Sequence, residues 1–313
     1  QPYSIQPSPG YEHTKWISSN EAGDILFEFG GFTSSFDGLD DDDNNPATQN
    51  VLVQPEWVAH EVRRYIDQGM FLYAQGFDRP RPWYEHEGTD FVDGEFGFDD
   101  GKKIDRSYSG EGRVWNRGHM ATRSLVNRLS SEAGCNTHFF FNAVPQYGPM
   151  NSGDWLALER YTGALANKYG RAWAMNGPIF YEDVDLETIG GTDEIPIPIP
   201  HALFKVIVFQ DEEEIFVRSY IFPQPSYARV QAIMASNGGK IPSMGFRSCR
   251  YTDQDNYDFS PYVASLTEIE GLTGIEFFPG ATAAEKEELD AFSTRNIWNV
   301  ERSYYARACG VDD

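Results

Sequence analysis

The chain has 313 residues, of which 40% are hydrophobic and 15% aromatic, and it carries a formal net charge of −23. That length accommodates one large core or two modest domains, and that apolar content excludes a disordered chain. No run of eighteen apolar residues occurs, which excludes a membrane-spanning helix of ordinary length.

Charge sets further bounds. Seven basic residues are Lys and 18 are Arg, against 48 Asp and Glu. A protein that grips nucleic acid ordinarily carries a basic surface, so any such contact here must be local. An acidic, Lys-poor surface keeps a chain soluble, and salt relieves its self-repulsion. It suits a life in brine or seawater, or equally an acidic secreted protein whose site is locally basic. The three cysteines, Cys135, Cys249 and Cys309, allow one bridge and one free thiol. None has the Cys/His spacing of a zinc site.

The chain opens at Gln1 with neither Met nor a charged-then-apolar leader, and it reads as a mature form whose export signal, if there was one, is gone. Residues 1–25 are irregular, and Ile25 to Phe29 reads as a strand entering Gly30-Gly31. The acidic run from Asp37 to Pro46, whose acidic part is Asp37 to Asp43, reads as a solvated loop. It lacks the spacing and the closing Glu of an EF-hand Ca2+ loop. Gln54 to Val62 is a strand or short helix with Trp57 in the core. In Phe77 to Trp83, Arg79 and Arg81 stand among prolines that stiffen the backbone and keep it out of a ladder. Such an arginine suits phosphate contact, or the segment is a surface turn with Trp83 packed beneath. Residues 85–112 read as a long Gly- and Asp-rich loop.

The most informative stretch runs from Trp115 to Glu159. It holds Arg117 and His119 in Trp-Asn-Arg-Gly-His-Met, a buried strand Phe139 to Asn142 ending at Pro145-Gln146, and a helix from Asn151 to Tyr161. That helix would place Asn151 and Glu159 on one face, two turns apart. An imidazole accepts a proton near neutral pH, an arginine neutralises phosphate, and an amide oxygen and a carboxylate are hard ligands of the kind Mg2+ prefers. Taken singly, His119 reads as a structural histidine and Asn151 as an N-cap. Together they are the parts of a metal-assisted phosphodiester cleavage.

Downstream, Arg171 to Tyr181 reads as a strand broken at Gly177-Pro178, and Ile195 to Pro200 as an extended edge or connector. Leu203 to Phe209 and Glu214 to Phe222 read as paired strands around an acidic turn. Val263 to Leu272 and Ala281 to Ala291 read as helices. With no internal repeat and no clear linker, one α+β domain is expected.

These residues resemble the DNA/RNA non-specific endonucleases of the ββα-metal (His-Me finger) superfamily, over roughly residues 55 to 310. The signature Asp-Arg-Gly-His is present as Asn116-Arg117-Gly118-His119. The pattern Asn-x-x-Pro-Gln is met by Asn142 to Gln146, and Asn-x-Gly-x-Trp-x-x-Leu-Glu by Asn151 to Glu159. Gly177-Pro178 and the segment from Pro200 through Lys205 to Ile207 are similar to the family as well. The resemblance implies an α+β fold, a central antiparallel sheet flanked by helices with a ββα-metal motif. The domain would span 55–313, with 1–54 packed on it as an arm, first strand and acidic loop.

By the same resemblance, His119 is the general base, and Asn151 is the direct protein ligand of Mg2+, which Mn2+ could replace. Glu159 acts on that ion through water, and Arg117 and Arg81 contact the substrate phosphate. Asn142 is a pocket residue or a strand-end hydrogen bonder. Substrates would be DNA and RNA, the products 5′-phosphorylated, and the assembly a monomer or a homodimer. Cys249 and Cys309 would form a disulfide, which implies a secreted, extracellular or periplasmic setting and leaves Cys135 free and buried. The charge adds an expectation of salt tolerance. One departure is Asn116, which stands where the family usually has Asp and keeps the shape while losing the charge. Two other readings stay open: a nucleic-acid-binding pseudoenzyme, suggested by Asn116, and a secreted carbohydrate-active protein, suggested by aromatic and acidic content.

Overall fold

The segments 202–211 and 214–223 are dense in β-branched and aromatic residues, and they pair with each other at one side of a sheet in which 171–179 is the next strand. The computed structural model describes residues 13–18, 25–36, 54–67, 69–72, 83, 101–110, 114–212, 214–240, 259–294 and 300–306. The strands that matter here are β1 (Ile25–Glu28), β2 (Phe32–Phe36), β3 (Pro55–Arg63), β4 (Trp115–His119), β5 (Ala143–Tyr147), β6 (Arg171–Ile179), β7 (Ala202–Asp211) and β8 (Glu214–Pro223). Six of them form a sheet in the order β8-β7-β6-β3-β2-β1, antiparallel at every step. β4 and β5 form a separate hairpin.

The helices are α1 (Gly101–Gly110), α2 (Arg123–Val126), α3 (Ser131–Asn136), α4 (Gly148–Asn151), α5 (Asp154–Tyr169), α6 (Tyr227–Ser236), α7 (Leu266–Thr273) and α8 (Ala283–Ser293). The expected α+β class, with a central antiparallel sheet and flanking helices, is the observed one. The end signals are local: Ser265 caps α7, Gly274 closes it at φ 70°, and Thr282 and Glu285 make a capping box on α8. No helix among the described residues is long and apolar enough to cross a membrane.

Alternation along the strands divides the core into two layers. Leu203, Ile207 and Phe209 pack with Trp155, Leu158 and the β4–β5 hairpin residues Trp115 and Val144. Phe204, Val206 and Val208 pack on the other side with Trp57, Leu266, Ile269 and Phe277. A mostly polar row crosses the first face. Ser34 stands opposite Val58, Val58 opposite Asn176, Asn176 opposite Lys205 and Lys205 opposite Tyr220. Two of these side chains bind the hairpin's connections. Ser34 Oγ donates to Phe141 O at 2.7 Å, and Asn176 Nδ2 donates to Met120 O at 2.9 Å.

Four local expectations are corrected. Part of the expected 85–112 loop is the helix α1, because Ile104 and Tyr108, four residues apart, are buried and Ser107 donates to Ile195 O. Phe140–Asn142 is a 3-10 turn, and the strand begins only at Ala143. β6 runs unbroken through Gly177-Pro178. Pro178 lies past the last pairing with β3, at Val58–Asn176, so an absent amide hydrogen is tolerated there. A side chain at Gly177 would overlap Glu56 O. Finally, no single helix joins Asn151 to Tyr161. Asn151 ends α4, Ser152-Gly153 intervenes, and α5 starts at Asp154, so Asn151 is not its N-cap.

Candidate active site

The β4–β5 register places Asn116 opposite Gln146, Arg117 opposite Pro145, Gly118 opposite Val144 and His119 opposite Ala143. Any side chain at Gly118 would overlap Gln146, which explains a glycine between the arginine and the histidine. The chain leaving His119 is pinned at once. Met120 N donates to Asn142 O at 3.0 Å, and Ala121 N donates to Asn142 Oδ1 at 2.6 Å. Asn142 Nδ2 donates in turn to Ala121 O and Thr137 O, each at 2.9 Å. Asn142 is fully buried, and its side chain holds the backbone on this side of the hairpin.

A cleft of about 660 Å³ opens beside the hairpin, with Arg117, His119, Asn151 and Glu159 all on its wall. Asn116, Thr122, Arg123 and Trp83 line it too. The break at Ser152-Gly153 matters here: Asn151 approaches from the end of α4 and Glu159 from the second turn of α5, so two elements converge on one space.

Trp83 packs against the imidazole of His119, with ring centroids 4.6 Å apart at 53°. His138 meets His119 edge-on at 5.0 Å, and Trp83 contacts His138 as well, at 5.3 Å. Three rings therefore restrict one another's planes.

Glu159 is 8% exposed, and its Oε1 accepts from Thr122 Oγ1 at 2.6 Å. Burial pushes its carboxyl above the ordinary carboxylate range, and Lys205, the Thr122 hydroxyl and Arg160 pull it part of the way back. Lys205 lies under the indole of Trp155 at 4.4 Å from the ring centroid, and burial brings its ammonium down to about 8.

Arg117 is engaged on the rim. Its Nη2 donates to Asp105 O at 2.6 Å and to Ser109 Oγ at 3.1 Å, and it pairs with Asp105 Oδ1 at 2.6 Å. Its guanidinium also stands 5.3 Å from the Tyr108 ring centroid. Helix α1 is thereby docked against β4. Arg81, Arg79, Cys249, Cys309 and the Asp37 to Asp43 loop lie outside the described residues. Cys135 is a buried free thiol. Among the described residues, no group of three or more His, Cys, Asp or Glu is placed to hold a metal ion.

Sequence reading overlooked Thr122, Asp105 and His138, none of which stands in a distinctive local pattern. It met Lys205 only as part of a motif and gave it no role. A signal existed, since Lys205 is a charged residue inside the apolar run Ala202 to Phe209 of a chain with few lysines.

The sequence model of the DNA/RNA non-specific endonuclease family matches residues 32–284. Mouse "Nuclease EXOG, mitochondrial" is 26% identical over 243 residues, 70% of this chain and 57% of that protein. The human protein of that name is 28% identical over 209 residues, covering 63% and 46%. Human "Endonuclease G, mitochondrial" is 28% identical over 125 residues, covering 37% and 40%. The chain spans about half the length of the curated relatives it matches. A chain from the solved EndoG/EndoGI complex superposes with a TM-score of 0.50 at 19% identity, over 82% of this chain and 86% of that one, and shares the fold. The relatives are mitochondrial by name, which corrects the expectation of a secreted, extracellular or periplasmic protein.

Proposed function

This chain belongs to the DNA/RNA non-specific endonuclease family, and from that premise we propose that its cleft hydrolyses phosphodiester bonds of DNA and RNA to 5′-phosphorylated oligonucleotides. The observation that carries the reading is the convergence of His119, Arg117, Asn151 and Glu159 on one cleft.

The donor set fits a hard divalent ion. Asn151 offers an amide oxygen and Glu159 a buried carboxylate on the same cleft wall. So few protein donors suit Mg2+, or Mn2+ in its place, because Mg2+ gives up its water reluctantly. Asn151 would hold the ion directly and Glu159 through water. When bound, the ion stabilises charge on the phosphoryl group and the departing 3′ oxygen.

The chain's own groups do the rest. His119 takes the proton from the water that attacks phosphorus, with its ring held in plane by Trp83 and His138. Asn142 and Asn176 lock the two residues after His119, so the base stays aimed at the cleft. Arg117 faces the substrate phosphate while Asp105 fixes its reach, and Arg81 supplies a second cation. Asn116 lends His119 no negative charge, so the base relies on these contacts for its orientation. The strongly acidic chain repels its polyanionic substrate at long range, and salt that screens this repulsion gives a salt-tolerant enzyme.

The test is incubation of purified protein with plasmid DNA and with RNA, in Mg2+, in Mn2+ or in chelator. Metal-dependent cleavage that disappears in His119→Ala is the expected result. Binding without cleavage would mark a pseudoenzyme and sink the hydrolase reading, and absence of both would sink the nucleic-acid reading altogether.

A further inference from the structure

Lys205 sits mid-strand in β7 with no exposed surface, and its Nζ finds no hydrogen-bond acceptor among the described residues. An ammonium stripped of water in this way persists where a π face or an opposite charge answers it. The π face is Trp155. Trp155 and Glu159 are four residues apart on α5, hence on one side of that helix. Glu61, the other buried carboxylate among the described residues, is bound to Arg63, and its partner across the ladder, Trp173, belongs to the opposite core layer. His60 shares the Lys205 side of the sheet, but burial and the Lys205 charge both disfavour its cationic form. The carboxylate that answers Lys205 is therefore Glu159.

We propose that Lys205 is a positioning residue of the cleft: roofed by Trp155, its buried charge holds the Glu159 carboxylate at the cleft wall. The pairing stands on the packing alone, whereas its consequence for catalysis rests on the hydrolase reading given above. Neighbouring positions on the same sheet row already anchor the hairpin through Ser34 and Asn176. Lys205 extends that row from fixing the hairpin backbone to fixing the acid that faces it.

A thermal double-mutant cycle tests the pairing in chelator and without substrate, using Lys205→Met, Glu159→Gln and the double variant. Each single change is expected to lower Tm by roughly 5–10 °C, because it leaves one buried charge alone. The double variant is expected to lose clearly less than the sum. Additive losses overturn the proposal. Should Lys205→Met alone fail to fold, a folded double variant supports the pairing, and a double variant that also fails overturns it. In cleavage assays, folded Lys205→Met should lose about tenfold or more in kcat with KM within about twofold. Unchanged kcat in that variant overturns the positioning role. A wild-type chain that cleaves nothing would sink the hydrolase reading and leave the thermal cycle to judge the pair.

Discussion

Thr122 Oγ1 donates to Glu159 Oε1 at 2.6 Å, across 37 residues of sequence. The hydroxyl binds one oxygen of a buried carboxylate, so it sets which way that carboxylate turns. Thr122→Val keeps the shape and removes the donor. Cleavage should fall by about 10–100-fold, the usual cost of removing a group that orients a metal-site residue, while Thr122→Ser stays near wild type. Steady-state kcat/KM on a short oligonucleotide measures this, and a Val variant within twofold of wild type would remove Thr122 from the account.

Asn142 makes two donations and one acceptance, all buried. Asn142→Asp loses both donations and places a charge where nothing answers it. Unfolding in urea should show a loss of about 2–4 kcal/mol. A shift below about 1 kcal/mol would mean that the loop after His119 is held by other contacts.

Arg117 and Asp105 form an ion pair with 21% and 38% of the side chains exposed. A pair so wet contributes at most about 1 kcal/mol to stability. Asp105→Asn should therefore leave Tm nearly unchanged and lower KM for DNA by about two- to fivefold, since the cation is released toward phosphate. Arg117→Ala should raise KM and flatten its dependence on salt. A KM insensitive to both changes would show that Arg117 only docks α1.

Burial holds His13 down at about 4, and its Nε2 lies 3.0 Å from Thr33 Oγ1. Its folded pKa is depressed below the ordinary 6.5, so the unfolded chain binds the extra proton first. The associated stability is fully present above pH 6.5 and is lost as pH falls toward 4. The loss is about 3 kcal/mol on the usual conversion, and buried His60, displaced in the same direction, adds to it. Tm measured from pH 7.5 to 4 should fall through that window, less steeply in His13→Gln. A parallel fall in the variant would assign the acid lability elsewhere.

With a net charge of −23, the chain repels a polyanion beyond the reach of its local cations. Cleavage should hold or rise as NaCl goes from low concentration to about half molar, as screening shortens that repulsion. A steep monotonic fall would show that counterion release at the local contacts dominates.

Much of the fold was readable in advance because it rests on short-range patterns. The pairing of Leu203–Phe209 with Glu214–Phe222 follows from two apolar runs around an acidic turn. Helices α7 and α8 follow from helical periodicity ahead of Gly274 and from a Glu- and Ala-rich amphipathic run, although they begin at Leu266 and Ala283 rather than at Val263 and Ala281. Helix α1 was not readable. Its apolar positions, Ile104 and Tyr108, stand in a Gly- and Asp-rich surrounding, and only the core they enter makes them a helix face. The break between α4 and α5 was missed for a related reason. The run from Asn151 to Glu159 has helical composition, and the Ser152-Gly153 step is a backbone choice that lets Asn151 face the cleft from its own element.

Which side chains are able to do chemistry is legible in the chain alone, because accepting a proton or offering a hard oxygen belongs to His119, Asn151 or Glu159 wherever each is placed. Which of these groups meet, and which others merely support them, follows from the packing. Thr122 reaches Glu159, Asn176 reaches Met120 O, and Lys205 passes beneath Trp155 through contacts between segments far apart in the chain. Such contacts leave no local periodicity to read, since they exist only once the sheet, the hairpin and α5 share a core from which water is excluded.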